Sequence, residues 1–343
     1  MPAAGYVYDP LYLEHEVPGH PESPARLRAI MSHLEQSGLL AAMQRIEPRD
    51  ATIEDIRLVH SPALIERVRR AAADTSHWLD VDTYVVGRSY DAALRAAGGV
   101  LAAADAVLDG DTGSAFCLVR PPGHHATPDR AMGFCLFNNV AIAAAHALAR
   151  RGLQRVAIVD FDVHHGNGTQ DAFYADGRAL YFSTHQHPFY PGTGYWTETG
   201  EAAGRGKIVN VPLPAGCGDA EYLRSYREIC APALERFRPQ LMLVSAGFDA
   251  HFADPLAQML VSASGYYEIA KLLKGLADEL CGGRIVYALE GGYDHTALAW
   301  SARACIDTLL GNEFAPDPLG PGPRVRGPEI EPVLAAVKRA HGL

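Results

Sequence analysis

The sequence is poor in the features that mark several protein classes. Its 343 residues carry 30 lysine and arginine side chains against 40 acidic ones, which gives a formal net charge of −10. Binding to nucleic acid through a broad basic surface is therefore disfavoured. There is also no apolar run of about 18 residues, so we expect no membrane span.

Cysteine is scarce and scattered. Six cysteines occur, at positions 117, 135, 217, 230, 281 and 305, and no two of them form a CxxC pair. We expect buried free thiols of a reducing compartment. The first ten residues, MPAAGYVYDP, show no basic segment followed by an apolar core, which a secretory signal would need. We therefore expect a cytoplasmic protein.

The most informative segment is 157–168, AIVDFDVHHGNG. An apolar run leads into Asp160, Asp162 and His164. Side chains at i and i+2 share one face of a strand, so these three would point the same way if the strand continued. Carboxylates and imidazoles suit a divalent ion such as zinc. Because uncompensated buried charge is costly, we expect a metal or a dense hydrogen-bond network here. A D-x-H pattern standing alone is more often not a metal site.

Three further apolar segments end in chemically active residues. They are 115–119 before RPPGHHA (120–126), 241–244 before SAGFDAH (245–251), and 284–289, which runs into YALEGGY (287–293). Ligands of open α/β sheets bind outside the carboxyl ends of the strands. We therefore predict that the four segments contribute to one site.

Alternating β and α patterns predict an α/β fold whose parallel sheet is covered on both faces. We expect helices at about 23–36, 61–73, 88–108, 136–151, 219–236, 263–281 and 295–310. The helical pattern breaks at 315–328, APDPLGPGPRVRGP. We predict a catalytic domain over 1–312 and, over 313–343, a Pro/Gly-rich C-terminal extension with a terminal helix.

Together these motifs resemble the histone deacetylase family, the zinc amidohydrolases of the arginase/deacetylase fold. The resemblance runs from about Tyr6 to Leu310 and includes GHPESPARL (19–27), GFCLFNNVAIAA (133–144) and FYPGTG (189–194). It is closer to the class II-like and bacterial branches than to class I. It implies a single domain with a central, mostly parallel sheet of about eight strands and helices on both faces.

The resemblance implies a metal site formed by Asp162, His164 and Asp249. Two carboxylates and one imidazole leave coordination positions open, as is typical of catalytic zinc. Taken alone, Asp249 is more often a solvent-facing residue at a strand end. Iron(II) is the alternative to zinc.

The resemblance also assigns catalytic roles. His125 would be the general base and then the general acid toward the leaving amine, with His124 as its electrostatic partner. Asp160 would orient His124, and Asn167 would orient His125. Class I enzymes carry Asp at the position of Asn167. Because an amide stabilises an imidazolium less than a carboxylate does, we predict a lower pKa for His125 than in a class I enzyme.

The same comparison predicts how the substrate is held. Tyr293, after two glycines, would donate a hydrogen bond to the developing oxyanion, although a tyrosine here could also be an ordinary packed loop residue. Phe134 and Tyr190 would form the walls of a narrow tunnel, and Gly133 would allow close backbone approach. Asp82 aligns loosely with a rim carboxylate that holds the substrate backbone.

A second ion is also implied by the resemblance. Asp160, Asp162, His164, Ser183 and Thr184 match the family's monovalent-cation site, which would hold structural K⁺ or Na⁺. Much of that site is formed by backbone carbonyls.

Two substrate classes remain open within the family. The eukaryotic polyamine-specific branch carries a Glu gate after the metal-binding Asp, and the matching position in ADPLAQM (253–259) is Leu256. We therefore favour N6-acetyl-lysine in proteins, with release of acetate, over acetylpolyamines or other small acylamines. The expected partner is an acetylated protein or small acetylated amine, without direct contact to nucleic acid or membrane. Assembly into a homo-oligomer is left open.

Two other functional classes are disfavoured. A ureohydrolase of this fold needs two manganese ions and a late D-x-D motif, whereas GFDAH (247–251) supplies one Asp. A catalytically dead binding module is disfavoured because Asp162, His164, Asp249, His125 and Tyr293 are all present.

Overall fold

The computed structural model describes residues 4–74, 77–323 and 327–343. Its strands are β1 Gly5–Val7, β2 Gln44–Arg45, β3 His77–Trp78, β4 Tyr84–Val85, β5 Ser114–Cys117, β6 Val156–Asp160, β7 Ala179–Gln186, β8 Ile208–Leu213, β9 Leu241–Ala246 and β10 Ile285–Leu289. Eight of these strands form one sheet in the order β2-β1-β5-β10-β9-β6-β7-β8. Every pairing in that sheet is parallel, whereas β3 and β4 form a separate antiparallel pair.

Burial explains why the central strands read as continuous apolar runs. Every residue of β5, β6, β9 and β10 is buried. Parallel strands with both faces covered show this pattern, because neither face meets water. The predicted α/β fold class is confirmed.

Helices flank the sheet. They are α1 Pro24–Gln36, α2 Leu39–Ala42, α3 Ile53–Ile56, α4 Pro62–Ala73, α5 Ser89–Asp109, α6 Asn139–Ala149, α7 Asn167–Phe173, α8 Asp219–Ser225, α9 Ala231–Phe237, α10 Ala263–Cys281, α11 His295–Leu310 and α12 Glu331–His341. One layer packs α5 against α6, and another packs α1 and α10 against α11. None of the described helices is long and apolar enough to cross a membrane.

Two predicted helices differ from the observed ones for local reasons, and one short helix was not predicted. α6 begins after Asn138, whose side chain accepts a hydrogen bond from Ala141 N and thereby caps the helix. The helix expected over 219–236 is divided by a π-helical turn, Tyr226–Cys230. α7 was not predicted, because its seven residues are too few to show an amphipathic period.

The C-terminal helix docks on the rest of the chain. Leu334 and Val337 of α12 are buried in the main core, and α12 packs against β8. Lys338 forms an ion pair with Glu228, and Arg236 Nη1 donates to the carbonyl of His341 at 2.8 Å. The division into a catalytic domain over 1–312 and an extension over 313–343 stays a prediction.

Strand order explains where the sequence motifs meet. β5, β10, β9 and β6 are consecutive neighbours in the sheet. Because all four run in the same direction, their carboxyl ends lie at one edge. The four motif-bearing loops therefore converge there.

Candidate active site

Three side chains form the centre of the site. Asp162 and His164 follow β6, and Asp249 follows β9. One ligand atom from each lies within 4.8 Å of the others. His164 Nδ1 is 3.1 Å from Asp162 Oδ1 and 3.2 Å from Asp249 Oδ2.

A loop, and not a continued strand, brings these residues together. β6 ends at Asp160, so the strand geometry on which the shared face depended does not extend to Asp162 and His164. Instead Asp162 N donates to Asp160 Oδ1, and His164 N donates to Asp162 Oδ1. The loop turns these side chains toward Asp249 while Asp160 faces His124.

The donor set and its environment fit a divalent cation. Asp162 and Asp249 are buried, and Asp249 Oδ2 has no hydrogen-bond partner apart from its contact with His164. Burial disfavours a charged His164, yet Asp162 and Asp249 outweigh it and raise the pKa of His164 to about 10. Two buried carboxylates thus demand positive charge at this position, which a metal ion would supply.

Glycines allow the backbone to pack directly on the two carboxylates of the candidate metal triad. A Cβ on Gly291 would lie 2.2 Å from Asp249 Oδ2 and 2.6 Å from Asp162 Oδ2. A Cβ on Gly247 would lie 2.0 Å from Asp162 Oδ2. Gly291 N also donates to Asp162 Oδ2 at 2.8 Å. These positions have no room for any side chain.

The two histidines of RPPGHHA lie beside this centre with the expected partners. His124 Nδ1 lies 3.1 Å from Asp160 Oδ2, and His125 Nδ1 lies 2.8 Å from Asn167 Oδ1. The two imidazole rings are 4.0 Å apart between centroids. Asn167 opens α7, so a helix that the sequence did not reveal positions it.

The two imidazoles differ in proton affinity. Burial lowers the pKa of His124, but Asp162 and Asp160 outweigh this and raise it to about 10. The pKa of His125 is held well below its usual range by burial and then by the positive charges of His124 and His164. The two pKa shifts run in opposite directions, so His124 binds a proton more tightly than His125 does.

Glu290 is a site residue that sequence reasoning missed. Its carboxylate is fully buried and accepts hydrogen bonds from Gly123 N at 2.7 Å and His124 N at 3.2 Å. Burial raises the pKa of Glu290 to about 7. The sequence signal that could have identified Glu290 is its position directly after an apolar strand and before two glycines.

Tyr293 reaches the site from the loop after β10. Gly292, with φ of 113°, adopts a conformation that favours glycine just before it. Arg26, another residue not predicted, donates to the carbonyl of Gly292 at 2.6 Å and lies 5.0 Å from the centroid of the Tyr293 ring. The Phe134 ring meets Tyr293 edge to face at 5.9 Å.

A cavity of about 250 Å³ leads to the centre. It is lined by every residue expected to contact the substrate, namely Asp82, Gly133, Phe134, Tyr190 and Leu256, together with His124, His125, Asp162, His164, Gly291, Tyr293 and Pro122. A Cβ on Gly133 would lie 2.4 Å from His125 Cδ2, so this wall requires glycine. Phe189, which was not predicted, stacks on His164 at 5.2 Å.

Ser183 and Thr184 lie on β7 beside β6, and Ser183 is the register partner of Asp160. Their hydroxyls have other partners. Ser183 Oγ lies 2.8 Å from His185 Nδ1, and Thr184 Oγ1 lies 3.3 Å from the Tyr226 hydroxyl. A monovalent cation here would depend on backbone carbonyls, and that site stays a prediction.

All six cysteines lie in the described residues and are buried without a disulfide partner, as expected. Burial raises the pKa of Cys135, which lies beside the cavity, well above its usual range. The raised pKa disfavours the thiolate form that a nucleophilic cysteine would need.

Comparison with known proteins agrees with this geometry. Residues 20–309 match the family model of the histone deacetylase domain. The chain belongs to the histone deacetylase family. It is 42% identical over 318 residues to Histone deacetylase 14, chloroplastic, of Arabidopsis thaliana, covering 88% of this chain and 75% of that protein. It is 41% identical over 321 residues to the Histone deacetylase-like amidohydrolase of Pseudomonas aeruginosa, covering 93% of this chain and 83% of the relative.

A solved histone deacetylase structure shows the same fold. The crystal structure of the HDA15 HD domain matches with a TM-score of 0.90 and 37% identity, covering 98% of this chain and 94% of that one. The predicted family and single-domain fold are thereby confirmed. The protein is a hydrolase of a family that is in general metal-dependent, and its own candidate metal site is the triad of Asp162, His164 and Asp249.

Proposed function

We propose that the protein is a zinc-dependent deacetylase that hydrolyses N-acetyl amides of primary amines and releases acetate, with N6-acetyl-lysine in proteins as its main substrate. The observation that carries this proposal is one cavity lined by Asp162 and His164 of the candidate metal triad together with His125 and Tyr293. Asp162, His164 and Asp249 would hold zinc, and iron(II) is the alternative ion. Bound there, the metal would supply Lewis-acid polarisation of the substrate carbonyl.

His125 performs the proton transfers in this proposal. Its Nδ1–H donates to Asn167 Oδ1, so its Nε2 is the free acceptor in the neutral ring. Nε2 takes a proton from the attacking water and later gives one to the leaving amine. His124, held protonated by Asp160 and Asp162, contributes a fixed positive charge beside it.

Tyr293 stabilises the charge that develops on the carbonyl oxygen. Tyr293 lines the cavity together with His125 and His164. Burial holds the pKa of Tyr293 well above its usual range, so the phenol keeps its proton as a donor. Loss of one such donor costs about 10² to 10³ in rate.

The cavity walls favour an extended aliphatic chain. Phe134, Tyr190 and Leu256 offer apolar surface, and no carboxylate stands at position 256 to attract a distant cation. Asp82 lies in the lining and would accept hydrogen bonds from the backbone of a bound peptide. Acetylpolyamines are the second candidate, because the same Asp82 charge would also attract a polyamine's free ammonium group.

The proposal also includes a monovalent-cation site and a cellular location. Asp160, Asp162, His164, Ser183 and Thr184 would hold K⁺ or Na⁺, largely through backbone oxygens. The six unpaired, buried cysteines favour a cytoplasmic, reducing location. The Arabidopsis relative is named as chloroplastic.

The decisive experiment compares substrates. We would measure kcat/KM of zinc-loaded protein on an acetyl-lysine peptide, acetylputrescine and acetylspermidine, with Tyr293→Phe as the control. We expect a clear preference for the peptide and a loss of about 10² to 10³ in the variant. A polyamine preference would establish the second candidate, and inactivity on all three would overturn the proposal.

A further inference from the structure

A second buried carboxylate joins two loops of the site. Asp254 follows Asp249 in the loop after β9 and is 6% exposed. Its Oδ2 accepts hydrogen bonds from Tyr293 N at 2.6 Å and Asp294 N at 3.2 Å. Its Oδ1 accepts one from Leu256 N at 3.0 Å. One side chain thus holds the backbones of a proposed catalytic residue and of a cavity-wall residue.

Keeping a charge at this position is costly. Burial and the nearby charge of Asp249 raise the pKa of Asp254 to about 7, even though three N–H groups favour its ionised form. No cationic side chain pairs with Asp254 in the described part of the chain. A buried carboxylate without a cation persists only where hydrogen bonds compensate its desolvation, and these are the charge-assisted bonds to the two loops.

Tyr293 depends on such backbone support. Gly291 and Gly292 precede it, and glycine leaves the backbone less constrained than any other residue. Its ring is held by the edge-to-face contact with Phe134 and by Arg26. The position of the phenol therefore follows the position of its backbone.

We propose that Asp254 is a positioning residue for the deacetylation reaction, which aligns the Tyr293 hydroxyl with the metal triad and fixes the cavity wall at Leu256 relative to it. This inference rests on the proposed function. Asn cannot replace Asp here, because its amide nitrogen accepts no hydrogen bond and one of the two loops loses its acceptor.

A double-mutant cycle tests the proposal. We would measure kcat and KM on an acetyl-lysine peptide for Asp254→Asn, Tyr293→Phe and the double variant. We expect Asp254→Asn to lower kcat by about 10 to 10², less than Tyr293→Phe does. In the Tyr293→Phe background it should lower kcat by less than about threefold, because the donor it positions is gone. Equal factors in both backgrounds would overturn the proposal.

Asp317→Asn is the matched control. Asp317 Oδ1 also accepts two backbone N–H groups, from Leu319 and Gly320, but it lies in the C-terminal segment away from the cavity lining. Its replacement should leave kcat and KM unchanged. A loss of kcat equal to that of Asp254→Asn would show a general effect of removing such a carboxylate and would contradict the inference.

A second readout does not depend on how much of the variant folds. A trifluoroacetyl group stabilises its own oxyanion, so its hydrolysis needs the Tyr293 donor less than hydrolysis of an acetyl group does. Asp254→Asn should therefore lose several-fold less activity on a trifluoroacetyl-lysine peptide than on the acetyl one. Equal losses on both would indicate only a smaller folded fraction and overturn the positioning role. An inactive wild type would instead overturn the proposed function itself.

Discussion

Replacing Asn167 with Asp would place a carboxylate against the imidazole that we propose as general base. Asn167 Oδ1 lies 2.8 Å from His125 Nδ1, and the two residues are 7% and 4% exposed. Water therefore screens this pair poorly. An opposite charge in such contact raises a pKa by about 1 to 3 units, and a shift of about 2 units corresponds to about 2.7 kcal/mol. The wild-type pKa of His125 starts well below its usual range.

The sign of the effect on activity follows from the role of His125. A general base must be neutral to accept a proton, so activity rises with pH through its pKa. Asn167→Asp should therefore move the acidic limb of kcat/KM to higher pH by about 1 to 3 units. The same comparison bears on the predicted difference from class I enzymes, which carry Asp here.

The assay is kcat/KM on an acetyl-lysine peptide from about pH 5 to 10, with metal content measured for each variant. Asn167→Ala is the control, because it removes the acceptor without adding charge and should not move the limb upward. An unchanged acidic limb in the Asp variant with its metal retained would show that His125 is not the base or that Asn167 does not control it.

Three further predictions follow from single contacts. Gly291→Ala would place a Cβ 2.2 Å from Asp249 Oδ2, whereas ordinary contact begins at 3.4 Å. Zinc affinity measured against a chelator should therefore fall at least about tenfold. Gly275→Ala, whose Cβ would have no atom within 4 Å, should leave the zinc affinity unchanged. Glu22→Gln would leave the buried Arg120 without its carboxylate partner. The free energy of unfolding measured in urea should therefore fall by about 3 to 5 kcal/mol, and an unchanged free energy of unfolding would refute this prediction. Leu256→Glu should shift kcat/KM toward acetylspermidine, and an equal shift in Leu256→Gln would show that charge is not the cause.

Much of the fold could be predicted from local patterns. Apolar runs identified the strands β5, β6, β9 and β10, because a strand buried on both faces must be apolar along its whole length. Helical periods and caps located most helices within a few residues. The short α7 escaped, since seven residues show no period.

The candidate site was predictable where its residue types are unusual for their position in the sequence. Asp162, His164 and His125 stand out because carboxylates and imidazoles at the ends of apolar strands need a chemical reason. Glu290 and Asp254 do not stand out, because an acidic residue in a loop is expected to be exposed to solvent until its burial is known. Both are buried here and accept backbone hydrogen bonds from the site's loops.

The sequence by itself determined the fold class and the residue types of the candidate metal triad and histidine pair, because these depend on local periodicity and side-chain chemistry. Only the tertiary structure decided how they meet. The order β5-β10-β9-β6 brings four distant loops to one edge, and strand order depends on long-range pairing that no local pattern encodes. The loop after Asp160, and not the strand itself, then turns Asp162 and His164 toward Asp249.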